Sequence, residues 1–110
     1  MTMDQRWSKR HRLSLPVDVV VGPGRVVSGC ESRDIGLGGV FVRCEAGGEA
    51  LEGEEVELVF HLGRGRLRQQ HRLHARLVRR DAEGAGFMFR DFDTAAFRAL
   101  QQILHQAIAS

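Results

Sequence analysis

Two short segments of the 110-residue chain combine residue types and spacings that point to chemistry. The first is Arg6-Trp7-Ser8-Lys9-Arg10, in which two arginines stand four positions apart just ahead of the first apolar alternation. A guanidinium is a planar fork of N–H donors that fits a phosphate or the O6/N7 edge of guanine, so arginine pairs suit anionic nucleotides. Lys9 adds a further charge, and Trp7 offers a flat face on which a purine can stack. The second segment is Asp34-Ile35-Gly36-Leu37-Gly38-Gly39, where a carboxylate is followed by glycines. Glycine permits left-handed backbone and the close approach of a ligand. Taken singly, the first segment reads equally well as a solvated tail and the second as an ordinary turn.

Other chemistries find less support. Asp34, Asp91 and Asp93 are acids without a neighbouring nucleophile–base pair or an NTPase-type phosphate loop, so catalysis is not expected. His71 and His74 lie three apart in an expected strand and point to opposite faces, which prevents them from chelating one metal locally. Cys30 and Cys44 are too few for a disulfide framework and show no zinc spacing, and both are expected to be reduced, half-buried strand residues. No run of about 18 apolar residues is present, and the charged N-terminus lacks the apolar core of a secretory signal. The expectation is a cytoplasmic protein with no membrane insertion and no cofactor.

The elements that must position these segments are mostly strands. Residues 1–12 show no period and are expected to form a flexible basic N-terminal arm. From Leu13, apolar residues alternate through Val21 until Gly22-Pro23-Gly24 imposes a turn. A second strand is expected over 25–33 and a third over 40–44, with the glycine loop between them. The acidic, glycine-spaced residues 45–55 read as an exposed loop, after which Val56, Leu58 and Phe60 alternate. In residues 66–78, Leu67, Leu73, Ala75 and Leu77 share one parity, and Arg66, Arg68, Arg72 and Arg76 share the other. A last short strand spans 86–89. Asp93 is then placed to cap a helix over about 94–109, whose apolar stripe is Phe97, Leu100, Ile103, Leu104, Ala107 and Ile108.

Length and composition fit one domain, residues 13–110, with a modest core: 43% of residues are hydrophobic and thirteen are glycine. The net charge is only +2, but all but one of the sixteen basic residues are arginine and they are clustered. Seven arginines lie in residues 64–80, whereas residues 45–57 carry six glutamates. The 64–80 arginines extend a ligand pocket, meet an acidic protein, or simply form a solvated exterior.

Paired in order, the two segments resemble the two-part signature of the PilZ family, RxxxR followed by [D/N]xSxxG. The strand entry "LPVDVVV", the loop "RDIGLGGVFV" and the later "HARLVRRDAEGAGFMFRDFD" are similar to that family as well. The resemblance implies a mainly β fold, a small six-stranded antiparallel barrel of split-barrel type with a C-terminal helix. It implies a bacterial second-messenger receptor or adaptor for cyclic di-GMP, acting on a protein partner in motility, adhesion or exopolysaccharide output. Arg6 and Arg10 would then grip phosphates and guanine edges, Asp34 would accept from a guanine N–H, and Gly39 would shape the loop. Trp7 and Lys9 are further candidate contacts. The chain departs from the pattern at Gly36, where the family has serine. One lost hydrogen bond to a charged group is worth about 1.5–3 kcal/mol, a roughly ten- to hundredfold weakening. A ligand-independent PilZ-like interaction module is therefore the alternative. A small nucleic-acid-binding barrel is disfavoured because basic strands with exposed aromatics are not apparent.

Overall fold

The alternation of apolar and polar residues produces seven strands in the computed structural model, which describes residues 10–51, 55–63, 65–91 and 93–109. They are β1 (His11–Arg12), β2 (Pro16–Gly22), β3 (Arg25–Ile35), β4 (Gly39–Cys44), β5 (Glu55–Leu62), β6 (Gln69–Arg80) and β7 (Gly84–Phe89), followed by helix α1 (Thr94–Ala109). Neighbours run β3-β2-β5-β6-β7-β4, and pairing of β3 with β4 closes six antiparallel strands into a barrel. The two-residue β1 lies along β3 at Asp34 and Ile35, beyond the residues that β2 pairs. Paired backbone thus begins two residues ahead of the Leu13 start expected from alternation.

One parity of each strand fills the interior. Val17, Val19, Val40, Val42, Leu58, Phe60, Leu73, Ala75, Ala85 and Phe87 are buried there together with Leu100 and Ile103 of α1. Removing that apolar surface from water is the main stabilising term of so small a domain. Asp93 caps α1 as expected, its Oδ1 accepting from the Ala96 amide at 2.8 Å. Of the expected stripe of α1, Leu100, Ile103 and Leu104 pack on the barrel and Phe97 does not, while the side chains of Ala107 and Ile108 lie outside the described ones. Ala96, Ala99, Leu100, Ile103 and Leu104 face the barrel, and Phe97 is 47% exposed. The two alanines let the helix backbone approach the strands, which a phenylalanine in the same row would hold apart.

Three further expectations change. Leu67 does not enter β6 but sits in a 3₁₀ turn (Gly65–Leu67), 81% exposed. The acidic loop holds a second 3₁₀ turn (Gly48–Ala50) followed by buried Leu51, whose carbonyl accepts from Arg80 Nη1 at 3.0 Å. Cys30 and Cys44, expected to be reduced, are directly opposed in the β3–β4 ladder with Cα atoms 4.1 Å apart, and they form a disulfide. Facing cross-strand positions are close enough for a bridge, a condition set by register that no spacing of two cysteines reveals.

Candidate functional site

The path of the chain into the barrel brings Arg10 to Asp34. Between β1 and β2, residues 13–15 pass β3 without regular pairing. Buried Ser32 closes that gap by accepting from the Leu15 amide at 3.0 Å and donating to the Leu13 carbonyl. Its own amide donates to the Leu15 carbonyl at 2.9 Å. The side chain thus supplies hydrogen bonds that a straight ladder would have supplied, as a buried strand interior requires. β1 then runs with Arg12 opposite Asp34. From the position just ahead of it, Arg10 donates through Nε to Asp34 Oδ1 at 2.6 Å and through Nη2 to the Asp34 carbonyl at 3.4 Å.

A β-bulge brings a second guanidinium to the same carboxylate. Ser32 pairs with Val42, and Asp34 with Phe41, so Arg33 is the extra residue in β3. Arg33 Nε donates to Asp34 Oδ2 at 2.9 Å, and its guanidinium carbon lies 3.9 Å from the Phe41 ring centroid. That contact is a cation–π stack. Burial pushes the Asp34 carboxyl up, but the hydrogen bonds from Arg33 and Arg10, together with their charges, outweigh it and hold the group below the ordinary 3.8.

A bulge of the same kind occurs across the barrel wall. Leu77 pairs with Phe87 and Arg79 with Gly86, leaving Val78 as the extra residue of β6. The two bulges flank an open groove of about 600 Å³ lined by Arg10, Arg12, Arg33 and Arg79, with Asp34, Phe41, Val78 and Gly86 among its other walls. Phe41 and Gly86 are ladder partners at its floor, and Arg79 lies 6.0 Å from the Phe41 centroid. Four guanidiniums around one carboxylate make a strongly positive concavity, suited to a multiply charged anion with flat groups to stack.

The glycine loop beside the groove is held by backbone bonds, from the Gly36 amide to the Gly39 carbonyl at 2.9 Å and from the Phe89 amide to the Gly38 carbonyl at 3.0 Å. Left-handed backbone is not its reason for glycine, since Gly36, Gly38 and Gly39 all lie outside that region. Gly39 is required for another reason: a Cβ there would collide with the Phe87 carbonyl of β7.

The family model for the PilZ domain matches residues 4–106. The chain belongs to the PilZ domain family. Among solved structures, the PilZ domain of CeSA from a cellulose-synthesizing bacterium shares the fold with a TM-score of 0.66 at 17% identity, covering 90% of this chain and 98% of that one. The Bacillus subtilis inhibitor of motility, MotI/DgrA, is similar with a TM-score of 0.63 at 19% identity, covering 92% of this chain. The chain spans about half the length of MotI/DgrA, since only 50% of that protein is covered. No curated protein matches the sequence.

Of the PilZ signature residues, Arg10 and Asp34 are in contact, and Gly36 and Gly39 form the adjoining loop. Arg6, Trp7 and Lys9 lie outside the described residues. Arg12, Arg33, Phe41, Arg79 and Gly86 also line the groove, although neither motif nor spacing singles them out in the sequence. For Arg33 a signal exists in its adjacency to Asp34. For Arg79 the signal is its place in the 64–80 arginine cluster, although parity along β6 assigns it inward. Of the arginine row expected on β6, Arg72 turns away from the groove and pairs with Glu57 at 2.8 Å. His74 reaches Glu57 at 3.6 Å and Asp91 at 3.4 Å, and His71 and His74 line one cavity beside α1.

Proposed function

We propose that this PilZ domain is a cyclic di-GMP receptor that binds its ligand in the arginine groove and does not transform it. The observation that carries this reading is the contact of Arg10 with Asp34, two signature residues 24 positions apart, on the wall of a concavity with three further arginines. Each carboxylate oxygen has two lone pairs, so Asp34 can keep its two guanidinium donors and still accept from a guanine N–H. Arg10, with Arg6 beside it in the signature, meets phosphates or the guanine O6/N7 edge, and Trp7 and Lys9 supply stacking and charge.

Ligand binding would draw the N-terminal segment against the groove and alter the surface seen by a protein partner. The response follows from the ligand's preference for one arrangement over another. The similarity to a PilZ domain from a cellulose-synthesizing bacterium and to an inhibitor of motility suits an output in exopolysaccharide or motility control. No helix among the described residues is long and apolar enough to cross a membrane.

Calorimetric titration with cyclic di-GMP, alongside GTP and single-stranded DNA, tests the assignment. Saturable binding of cyclic di-GMP alone is expected, whereas binding of DNA in preference would favour a nucleic-acid reading. One observation favours a second reading. Gly36 lacks the hydroxyl of the family serine, and absence of binding by a stably folded protein would favour an interaction module that works without ligand.

A further inference from the structure

Strand β6 is paired unequally along its two edges. On one side it pairs with β5 from Gln69 to Arg76, but on the other it pairs with β7 only from Ala75 onward. One bond beyond that ladder runs from the Arg90 amide to the His74 carbonyl at 2.8 Å. The amide and carbonyl of one residue point to the same side of an antiparallel strand, and successive residues alternate. The main-chain groups of Gln70 and Arg72 therefore point the same way as the His74 carbonyl, away from β5. Among the described residues no backbone hydrogen bond reaches them from that side, and both residues are exposed. An open strand edge is a template for another strand.

Helix α1 runs beside this edge without covering it. A cavity of about 730 Å³ separates the two, with Ala95, Ala96 and Ala99 on the helix side, where small side chains leave room for a chain to enter. Glu57, Asp91 and Asp93 bring three carboxylates to the cavity against one guanidinium, that of Arg72, which Glu57 already holds at 2.8 Å. In the same wall His71 Nε2 is buried and has no hydrogen-bond partner among the described residues, so one ring nitrogen is left for an incoming polar group.

We propose that the 70–72 edge of β6 is a docking site for an extended, basic segment of a protein partner. Its main chain adds a strand to Gln70 and Arg72, and its lysine or arginine side chains meet Asp91 and Asp93. A second copy of this chain is a poorer match, since β6 laid against β6 brings the same carboxylates and the same Arg72 together. The edge lies at the opposite end of β6 from Val78 and Arg79, and docking there requires nothing bound in the arginine groove.

Selection of a random dodecapeptide library on the whole protein, with Gln70→Pro and Gln70→Ala proteins alongside, tests the site. Proline removes the outward N–H and is tolerated at an open edge, so Gln70→Pro should melt close to the wild type. Lysine- and arginine-rich peptides are expected to be enriched on the wild type and to bind Gln70→Ala equally well. Their affinity for Gln70→Pro should fall at least tenfold, and Asp91→Asn should weaken them severalfold. In the free protein the Gln70 and Arg72 amides should exchange faster than those of His71 and Leu73, and the bound peptide should slow them. Equal protection of all four amides in the free protein, enriched peptides that bind a folded Gln70→Pro as tightly as the wild type, or no enrichment at all would overturn the proposal. So would a dimer of the wild type that Gln70→Pro abolishes, which assigns the edge to a second copy. Should Gln70→Pro fail to fold, protection of the Gln70 and Arg72 amides by the bound peptide decides alone.

Discussion

The two sides of the barrel handle charge differently. Around β2, β5 and the middle of β6, outward carboxylates meet arginine or histidine side chains across strands. Asp18 and His61 lie 2.9 Å apart, Glu57 and Arg72 2.8 Å, and Glu55 lies 3.2 Å from Arg90 just beyond β7. On the groove side, four arginines line one concavity with Asp34, which Arg10 and Arg33 contact, and Glu83 lies only at the margin, 3.9 Å from Arg33. Exposed cross-strand pairs contribute about 0–1 kcal/mol each and leave little net field. Clustered guanidiniums repel one another, and an anion that neutralises them gains what the fold forgoes. The difference separates a face arranged for water from one arranged for an anionic ligand.

The largest expected effect breaks the groove side alone. Arg10→Ala should weaken cyclic di-GMP binding at least tenfold with little change in melting temperature, because the side chain is outside the core. Arg10→Lys should also be defective, since an ammonium cannot reproduce a fork. Arg72→Ala, on the paired side, should leave affinity unchanged. Equal losses from Arg10→Ala and Arg72→Ala in the same titration would erase the distinction between the two faces.

A gain of similar size is expected at Gly36. Its φ is not left-handed, so serine carries no backbone penalty of that kind. Gly36→Ser should tighten binding about tenfold, consistent with about 1.4 kcal/mol from one restored hydrogen bond. Titration and melting measured together check this. Unchanged affinity in a stable variant would remove the missing hydroxyl as a determinant.

A smaller effect belongs to Asp34 and pH. Its carboxyl is held below the ordinary 3.8, so the ionised form is favoured more in the folded than in the unfolded chain. The stability it contributes is complete above that ordinary value and is lost as pH falls through the depressed folded one. Wild type and Asp34→Asn should therefore differ in stability at neutral pH and converge in acid. Denaturation curves that keep a constant separation down to the lowest accessible pH would show that the arginines do not hold this carboxylate.

The smallest effect is expected on the paired side. A double-mutant cycle on Glu57 and Arg72 should give a coupling of about 0.5 kcal/mol that fades with salt. A coupling of several kcal/mol, insensitive to salt, would make the pair a structural element rather than surface matching.

Alternation alone makes the strands around Val17, Val42, Phe60 and Leu73 legible in the sequence, and the Asp93 cap with its apolar stripe does the same for α1. The ordered pair Arg10 and Asp34 can be read as a signature because motif spacing survives wherever the loop lies in space. Parity fails at particular places. Arg79 shares the inward parity of Leu77 and Leu73, yet Val78 bulges and every side chain beyond it changes face. Leu67 matches the inward row but falls in a turn before β6 begins. Phe97 has the right spacing but lies one residue off the row that the barrel covers.

Residue types and local periods, acting over a few positions, thus marked the strands and the helix, while the resemblance to the PilZ signature implied the barrel and singled out Arg10 and Asp34. Only the tertiary structure decided that Cys30 faces Cys44, that Arg33 and Arg79 approach the Phe41 ring, and that the Arg79 side chain lies over Gly86. Each of these depends on register between strands remote in sequence. One inserted residue inverts the side-chain alternation of a strand, and whether a bulge forms is settled by the ladder's partners rather than by the residue itself.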